Sequence, residues 1–351
     1  MVRLAILGAC VVLAACAPLP SLPEDPSLVG PVQPCFELWF ATNREVRQTP
    51  KEGEQFGDGL EDAIRYGRRC VPLGGGVSTA SAQPAKADHL SLPEWEEGLK
   101  TALAAPDEKP RDLVIYIHGF DNTFEVSMAQ AGRLGAALKL SGPLLMFSWP
   151  SRGKAGPLSY LADLNAMDNS VEELGQILVA ALQMAGPGRV HVIAHSMGCY
   201  GLLRTLNSPR FQKQLGPPGG QFGQLVLAAP DIDDRLFRRL VSAAPGLARR
   251  VTVYVAEEDM AIKASEMMHG RPRVGPGTGR ALQGTVDTVR VDGRADTFNL
   301  GHSYLREVAQ VVTDISTLIR TGASLDERMA GNGFPELADA SSNTWVIRIP
   351  R

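Results

Sequence analysis

Positive charge is scarce in this chain: 35 Lys and Arg face 38 Asp and Glu, for a formal net charge of -3, and no Lys/Arg run interrupts the sequence. Nucleic acid requires a basic field, so no nucleic-acid partner is expected. Long apolar runs are also missing, since the N-terminal stretch Leu4 to Leu13 falls well short of the roughly 20 residues that cross a bilayer. Cysteine is limited to five residues, with no CxxC and no Cys/His cluster, so a zinc site is not expected. No repeat period suggests a solenoid. The Gly-rich GPGTGRALQG and LGGG lack the lysine and strand context of a phosphate loop and read as turns. What is present is 44% hydrophobic and 21% charged, the balance of a folded chain with a sizeable core.

The first residues have the layout of a secretory signal. Met1-Val2-Arg3 is positive, Leu4 to Leu13 is apolar, and Leu13-Ala14-Ala15-Cys16 follows at once. Leucine, two small residues and cysteine resemble a bacterial lipoprotein signal over residues 1–15, with Cys16 acylated and becoming the mature N-terminus. That pattern implies an exported chain anchored by lipid in the cell envelope. Ala17 after the cysteine resembles outer-membrane sorting, on the periplasmic side. Residues 16–34, with APLPSLPEDPSLVGPVQP, are proline-rich and aperiodic, as an extended tether is. Export would leave Cys35, Cys70 and Cys199. Cys35 and Cys70 each flank a strand-like run, FELWFAT and VPL, so a disulfide and two free buried thiols both stay open. Cys199 reads as small core packing.

From Asp112 onward, LVIYIHG, PLLMFSWPS, RVHVIAHS, QLVLAAPD, VTVYVAEED and VDTVRVDG alternate with amphipathic segments such as FEVSMAQAGRLGAALKL and NSVEELGQILVAALQMA. Continuously apolar strands separated by helices predict a mostly parallel sheet covered by helices on both faces. Ligands in such sheets bind beyond the carboxyl ends of the strands. Here those ends carry His118, Ser148, Ser196, Asp231 and Asp259.

Ala194-His195-Ser196-Met197-Gly198 is a variant of the GxSxG nucleophile elbow, in which small residues let a serine sit on a sharp strand-to-helix turn. Ala194 stands in place of the first glycine. A serine hydroxyl needs a base, and the base needs an orienting carboxylate. In this arrangement the chain order is serine, acid, histidine. Only His269 and His302 follow Ser196, and His302 in NLGHSYL, between the last strand and the last long helix, is the better placed; His269 is assigned to a polar loop. Strand order favours Asp259 as the acid, with Asp231 as the alternative. Met197 would supply one backbone oxyanion donor and Phe120, in His118-Gly119-Phe120, the other. His118 and His195 are read as supports. The His191/His195 spacing lies on a strand, where four residues span about 13 Å, so it is not a zinc pair.

Together FATNREV, VIYIHGFDNTFE, FSWPSRG, YLADLNAMDNS, HVIAHSMG, LVLAAPDID, VYVAEEDMA and GHSYL resemble the bacterial α/β-hydrolase family known as domain of unknown function nine hundred, over roughly Cys35 to Ile319. The resemblance implies an α/β-hydrolase fold over residues 35–320, with 35–110 as an N-terminal strand and loop extension packed on it. Residues 321–351 form a tail whose SSNTWVIRIPR is a candidate edge strand. It also implies Ser196, His302 and Asp259 as a triad with Phe120 and Met197 as donors, and it matches Tyr160 and Asp163 to a segment of unassigned role, a pocket wall or a loop cap. The expected activity is a serine hydrolase, a carboxylic-ester hydrolase without metal or organic cofactor. Its substrate would be a small acyl compound or an envelope polymer. The competing readings are a silent binding or scaffolding lipoprotein, and an acyltransferase with the same triad.

Overall fold

The apolar runs form strands because both faces of each are covered. The computed structural model describes residues 35–47, 55–73, 88–104, 110–216, 221–256, 258–275, 286–292, 305, 308–332, 337–339 and 344–348. The candidate signal and tether, Cys16 and His302 lie outside the described residues. The strands are β1 (Cys35–Val46), β2 (Phe56–Pro72), β3 (Asp88–Leu90), β4 (Leu113–Ile117), β5 (Leu144–Ser148), β6 (Val190–His195), β7 (Phe222–Ala228), β8 (Ala248–Ala256), β9 (Asp287–Asp292), β10 (Leu337–Asp339) and β11 (Thr344–Arg348). They form one sheet in the order β10-β11-β9-β8-β7-β6-β4-β5-β1-β2-β3. Every pairing from β1 through β5, β4, β6, β7, β8 and β9 to β11 is parallel. Antiparallel partners close the two edges: β2 and β3 beside β1, and β10 beside β11.

Successive strand residues point to opposite faces, and the core divides accordingly. Leu113, Ile115 and Ile117 of β4 join Val190, Val192 and Ala194 of β6 in one buried cluster. Val114 and Tyr116 join Ile193 in the other. The first face is covered by α1 (Leu92–Leu103), α4 (Val171–Ala185), α5 (Met197–Leu206) and α7 (Asp234–Val241), which contribute Trp95, Ile177, Leu202 and Phe237. The second is covered by α2 (Phe124–Leu138), α9 (Ala309–Thr321) and α10 (Leu325–Gly331), through Met128, Ile315 and Met329. Burial on both sides explains why the strands read as unbroken apolar runs rather than as alternating ones.

Two local expectations need correction, on the N-terminal extension and on His269. The N-terminal extension is more regular on either side of its Gly-rich middle than the loops read there, with β2 running for 17 residues and α1 at 92–103, while residues 74–87 lie outside the described residues. Ser91 and Glu94 form a capping box at its start, and Trp95, Leu99 and Leu103 bury one stripe at helical spacing. The segment that carries Tyr160 and Asp163, to which the sequence assigned no element, forms α3 (Pro157–Asp168), with proline in its first turn. His269 is the last residue of α8 (Met260–His269) rather than part of a loop, and Gly270 at φ +62° ends that helix. A disulfide joins Cys35 to Cys70 across the β1–β2 pair, with Cα atoms 5.4 Å apart.

Candidate active site

Ser196 occupies the single residue between β6 and α5. Its backbone is at φ +52°, ψ -121°, a conformation that costs an L-residue about 1–3 kcal/mol and persists only where the surroundings impose it. Those surroundings are visible. The Ser196 N–H donates to the Ala228 carbonyl at 2.9 Å, and the Ser196 carbonyl accepts from the Cys199 N–H at 3.0 Å. Gly198 lies so near β4 that a Cβ there would stand 2.6 Å from the His118 oxygen and 2.7 Å from the Ile117 oxygen. Ala194 is fully buried in β6, between Ile117 and Leu227, and its methyl is accommodated. Asp121 at φ +60° after β4 and Ala229 at φ +48° after β7 are also strained, so the two loops beside the Ser196 turn share its irregularity.

The loop after β4 passes over the serine. A Cβ on Gly119 would stand 2.9 Å from the Ser196 Cβ. Phe120 follows, its ring 5.3 Å from that of Tyr160. Met197 is wholly buried at the first position of α5, where a helix leaves its leading N–H groups without intrahelical partners.

His118 is fully buried and stacks on Trp149 with ring centroids 5.0 Å apart. Its Nδ1 lies 2.9 Å from the Gly119 oxygen and its Nε2 lies 3.2 Å from the Ser148 Oγ. A neutral ring satisfies both contacts, with Nδ1–H donating to the carbonyl and Nε2 accepting from the hydroxyl. Burial, then the nearby Arg44 charge, pushes His118 down to about 3. It is therefore an uncharged support for the loop at neutral pH.

The two candidate acids have different surroundings. Asp259 follows β8, is 2% exposed, and caps α8 by accepting the Ile262 N–H at 3.0 Å. Asp231 follows β7 and sits in a polar cluster that the sequence did not reveal. Its Oδ2 accepts from the Tyr160 hydroxyl at 2.9 Å, and its Oδ1 accepts from the Ser265 hydroxyl at 2.8 Å. The Arg273 Nε lies 3.3 Å from the same Oδ1. His269, the sequence's second histidine candidate, belongs to this cluster through Arg273 and through a ring contact with Tyr160 at 5.1 Å. Burial first, and then Asp231, raises Tyr160, which is held as a phenol. Asp163 supports a different loop: it accepts from the Ser151 hydroxyl and, at 3.0 Å, from the Arg152 N–H. Tyr160 and Asp163 thus tie α3 to the strand ends around the serine.

The structure brings Ser196, Gly119, Phe120 and Met197 together. Asp259 stands two strands away along the same sheet edge, and His302 lies outside the described residues. His191 meets Asp112 at 3.3 Å, near the opposite end of β6. Cys199 is buried, which pushes its thiol up, and its Sγ approaches the Ala194 oxygen at 3.2 Å. Among the described residues no group of three His, Cys, Asp or Glu side chains is placed to hold a metal ion. Arg44, Asn122, Ser151, Ser265 and Arg273 carry no sequence motif that reveals their roles. FATNREV and MMHGRPR contain the two arginines but do not disclose their contacts.

A parallel sheet flanked by helices, with a strained serine between a central strand and a helix, is an α/β-hydrolase fold. The chain belongs to the family described as "Alpha/beta hydrolase of unknown function (DUF900)", whose model matches residues 95–321. That match begins inside α1, so β1 and FATNREV lie outside it, unlike the longer span read from the motifs. Solved structures similar to the chain include an arylesterase (15% identity, 64% of this chain and 89% of that chain, TM-score 0.31). Another is a hyperthermophilic esterase from the archaeon Pyrobaculum calidifontis (15% identity, 62% and 76%, TM-score 0.33). A putative cell surface hydrolase from Lactobacillus plantarum WCFS1 is a third (13% identity, 64% and 97%, TM-score 0.38). No curated protein matches the chain.

Proposed function

We propose that the chain is a serine hydrolase that cleaves carboxylic esters through an acyl-enzyme. The observation that carries this reading is the Ser196 turn: a strained serine at the carboxyl edge of a central strand, with Gly119 packed against it. Ser196 Oγ attacks the ester carbonyl while His302 takes its proton, and the tetrahedral oxyanion is held by the Phe120 and Met197 N–H groups. Collapse breaks the carbonyl–alkoxy bond, and His302 protonates the departing alcohol. Water, deprotonated by the same imidazole, then releases the acid and regenerates Ser196. Asp259 orients the imidazole. Two strand spacings put the axes of β6 and β8 about 10 Å apart, an offset that an imidazole and its two hydrogen bonds bridge. Asp231, one strand nearer the serine, is the alternative acid, and its carboxylate is paired with the Arg273 guanidinium.

A fluorophosphonate probe tests the reading. Labelling at Ser196, abolished in Ser196→Ala and weakened in His302→Ala, supports the hydrolase; a folded chain that takes no label favours a binding or scaffolding role. Partition of product between water and added alcohols or amines separates hydrolysis from acyl transfer. For location, the reading is an exported chain held in the outer membrane by acyl groups on Cys16, acting on small or envelope-bound acyl compounds. The Leu-Ala-Ala-Cys pattern and the proline-rich residues after it support this. Incorporation of an alkynyl fatty acid, lost in Cys16→Ala, is the expected result.

A further inference from the structure

Near the end of β1, in a stretch outside the family match, one guanidinium is enclosed by four neutral acceptors. Arg44 is 1% exposed. Its Nε donates to the Ser148 Oγ at 2.9 Å, Nη1 to the carbonyls of Gly57 at 3.0 Å and Ser151 at 2.8 Å, and Nη2 to the Asn122 carbonyl at 2.8 Å. The register with β2 shifts on either side of Arg44, an irregularity of the kind that re-aims a side chain. Burial lowers the guanidinium to about 9, and Glu125, Asp163 and Asp58 oppose that from a distance, so it is still a cation at neutral pH. A buried cation held by neutral groups is a poor way to stabilise a fold, because its lost hydration is only partly replaced. It does specify where each of those acceptors lies.

Two of the acceptors lead to the serine. The Gly119 oxygen is gripped by two side chains: His118 Nδ1 at 2.9 Å and Asn122 Nδ2 at 3.1 Å. His118 is held through its Nε2 by Ser148, whose hydroxyl oxygen takes the Arg44 Nε–H. Asn122 is held through its carbonyl by the Arg44 Nη2. Its remaining polar groups are also used: Nδ2 reaches the Phe120 oxygen at 2.7 Å, Oδ1 accepts from Gln130 at 2.6 Å, and the N–H donates to Ser151 at 3.0 Å. A trans peptide sends its C=O and N–H in opposite directions. Fixing the Gly119 carbonyl towards His118 and Asn122 therefore fixes the Phe120 N–H on the other side of the same peptide plane.

We infer that Arg44 is a positioning residue for the oxyanion site: through Ser148 and Asn122 it holds both side chains that grip the Gly119 carbonyl, and so aims the Phe120 N–H. This rests on the serine-hydrolase reading. It makes the N-terminal strand, outside the family match, part of the catalytic apparatus without touching substrate. Arg44→Lys keeps the charge but cannot reproduce the planar fork. Asn122→Ala removes the second grip without disturbing the cation.

The test uses the full chain. Reactive Ser196 is counted by fluorophosphonate titration, and hydrolysis of p-nitrophenyl acetate is expressed per reactive serine. A trifluoromethyl ketone, whose serine adduct carries an oxyanion, serves as the probe of the hole. In Arg44→Lys and in Asn122→Ala, kcat per reactive serine is expected to fall by about 10- to 100-fold, less than or near the loss of a whole donor. KM should stay within about threefold, and the ketone should weaken by the same factor as kcat/KM falls. Arg44→Ala should regain part of its rate on addition of free guanidinium. A purely structural role would lower the count of reactive serines and leave the rate per serine unchanged. If Arg44→Lys does not fold, Asn122→Ala and the ketone decide. Rates per serine within threefold of wild type, with unchanged ketone binding, would overturn the inference while the labelled wild type keeps the hydrolase reading. A wild-type chain that neither labels nor hydrolyses esters would overturn both.

Discussion

Gly119 and Ser196 are in direct contact: a Cβ on Gly119 would stand 2.9 Å from the Ser196 Cβ and 3.1 Å from the His195 Nδ1. The loop after β4 can lie over the nucleophile only because Gly119 has no side chain. Gly119→Ala should lower kcat/KM on a simple ester by about 100-fold, the scale of a displaced oxyanion donor. The same change should cost about 1–3 kcal/mol of stability from overpacking. Steady-state kinetics beside a urea titration separates the two effects, and wild-type kinetics would show that the loop can shift freely.

Gly198 offers a harsher version of the same constraint, because the atoms a Cβ would meet are the backbone oxygens of Ile117 and His118. Backbone in a central strand cannot move aside as a side-chain tip can. Gly198→Ala should destabilise the fold by about 3 kcal/mol, at the upper end of overpacking costs. A denaturant midpoint equal to that of wild type would contradict the close packing of α5 against β4.

Replacing each candidate acid by its amide distinguishes them. Asn caps a helix about as well as Asp, so Asp259→Asn should preserve stability to within about 1 kcal/mol. If Asp259 orients the imidazole, kcat falls by about 10⁴-fold. Asp231→Asn leaves the Arg273 guanidinium without its carboxylate in a site where both side chains are under one-tenth exposed. The expected loss there is about 3 kcal/mol of stability, with kcat within tenfold of wild type. The reverse pattern would assign the acid to Asp231.

His118 makes the fold sensitive to acid. Its folded value is depressed from 6.5 to about 3 by burial and by Arg44, so the unfolded chain takes up the proton first. The stabilisation is complete above about pH 6.5 and is lost as pH falls from there towards 3, at up to about 1.4 kcal/mol per pH unit. In His118→Gln the slope of unfolding free energy between pH 6 and 4 should be shallower by about that amount. Coincident slopes would mean that the native imidazole takes up a proton as readily as the unfolded one.

The Cys35–Cys70 bridge closes a separation of 35 residues. In the chain-entropy description such a loop stabilises by roughly 3–4 kcal/mol. Cys70→Ser should lower the denaturant midpoint accordingly. Because β1 carries Arg44 beside its pairing with β5, the rate per reactive serine should be unchanged in whatever fraction remains folded.

Sequence alone determined the layers and the place of the serine. Unbroken runs such as LVIYI and VHVIAH call for cover on both faces, their alternation with amphipathic segments makes that cover helical, and the small residues Ala194 and Gly198 around Ser196 leave room for a sharp turn. The helix start at Ser91 and Glu94 was missed although its capping pattern is local, because the polar, Gly- and Ser-rich surroundings read as loop. Tertiary structure decided which polar groups surround the serine and hold its loops. Arg44 reaches Ser148 across 104 residues and Asn122 across 78, and Tyr160 meets Asp231 across 71. Periodicity records which face of an element is apolar, and that is a local property. A hydrogen bond between distant residues leaves no period, because it is set by the strand order that brings separate carboxyl ends to one edge.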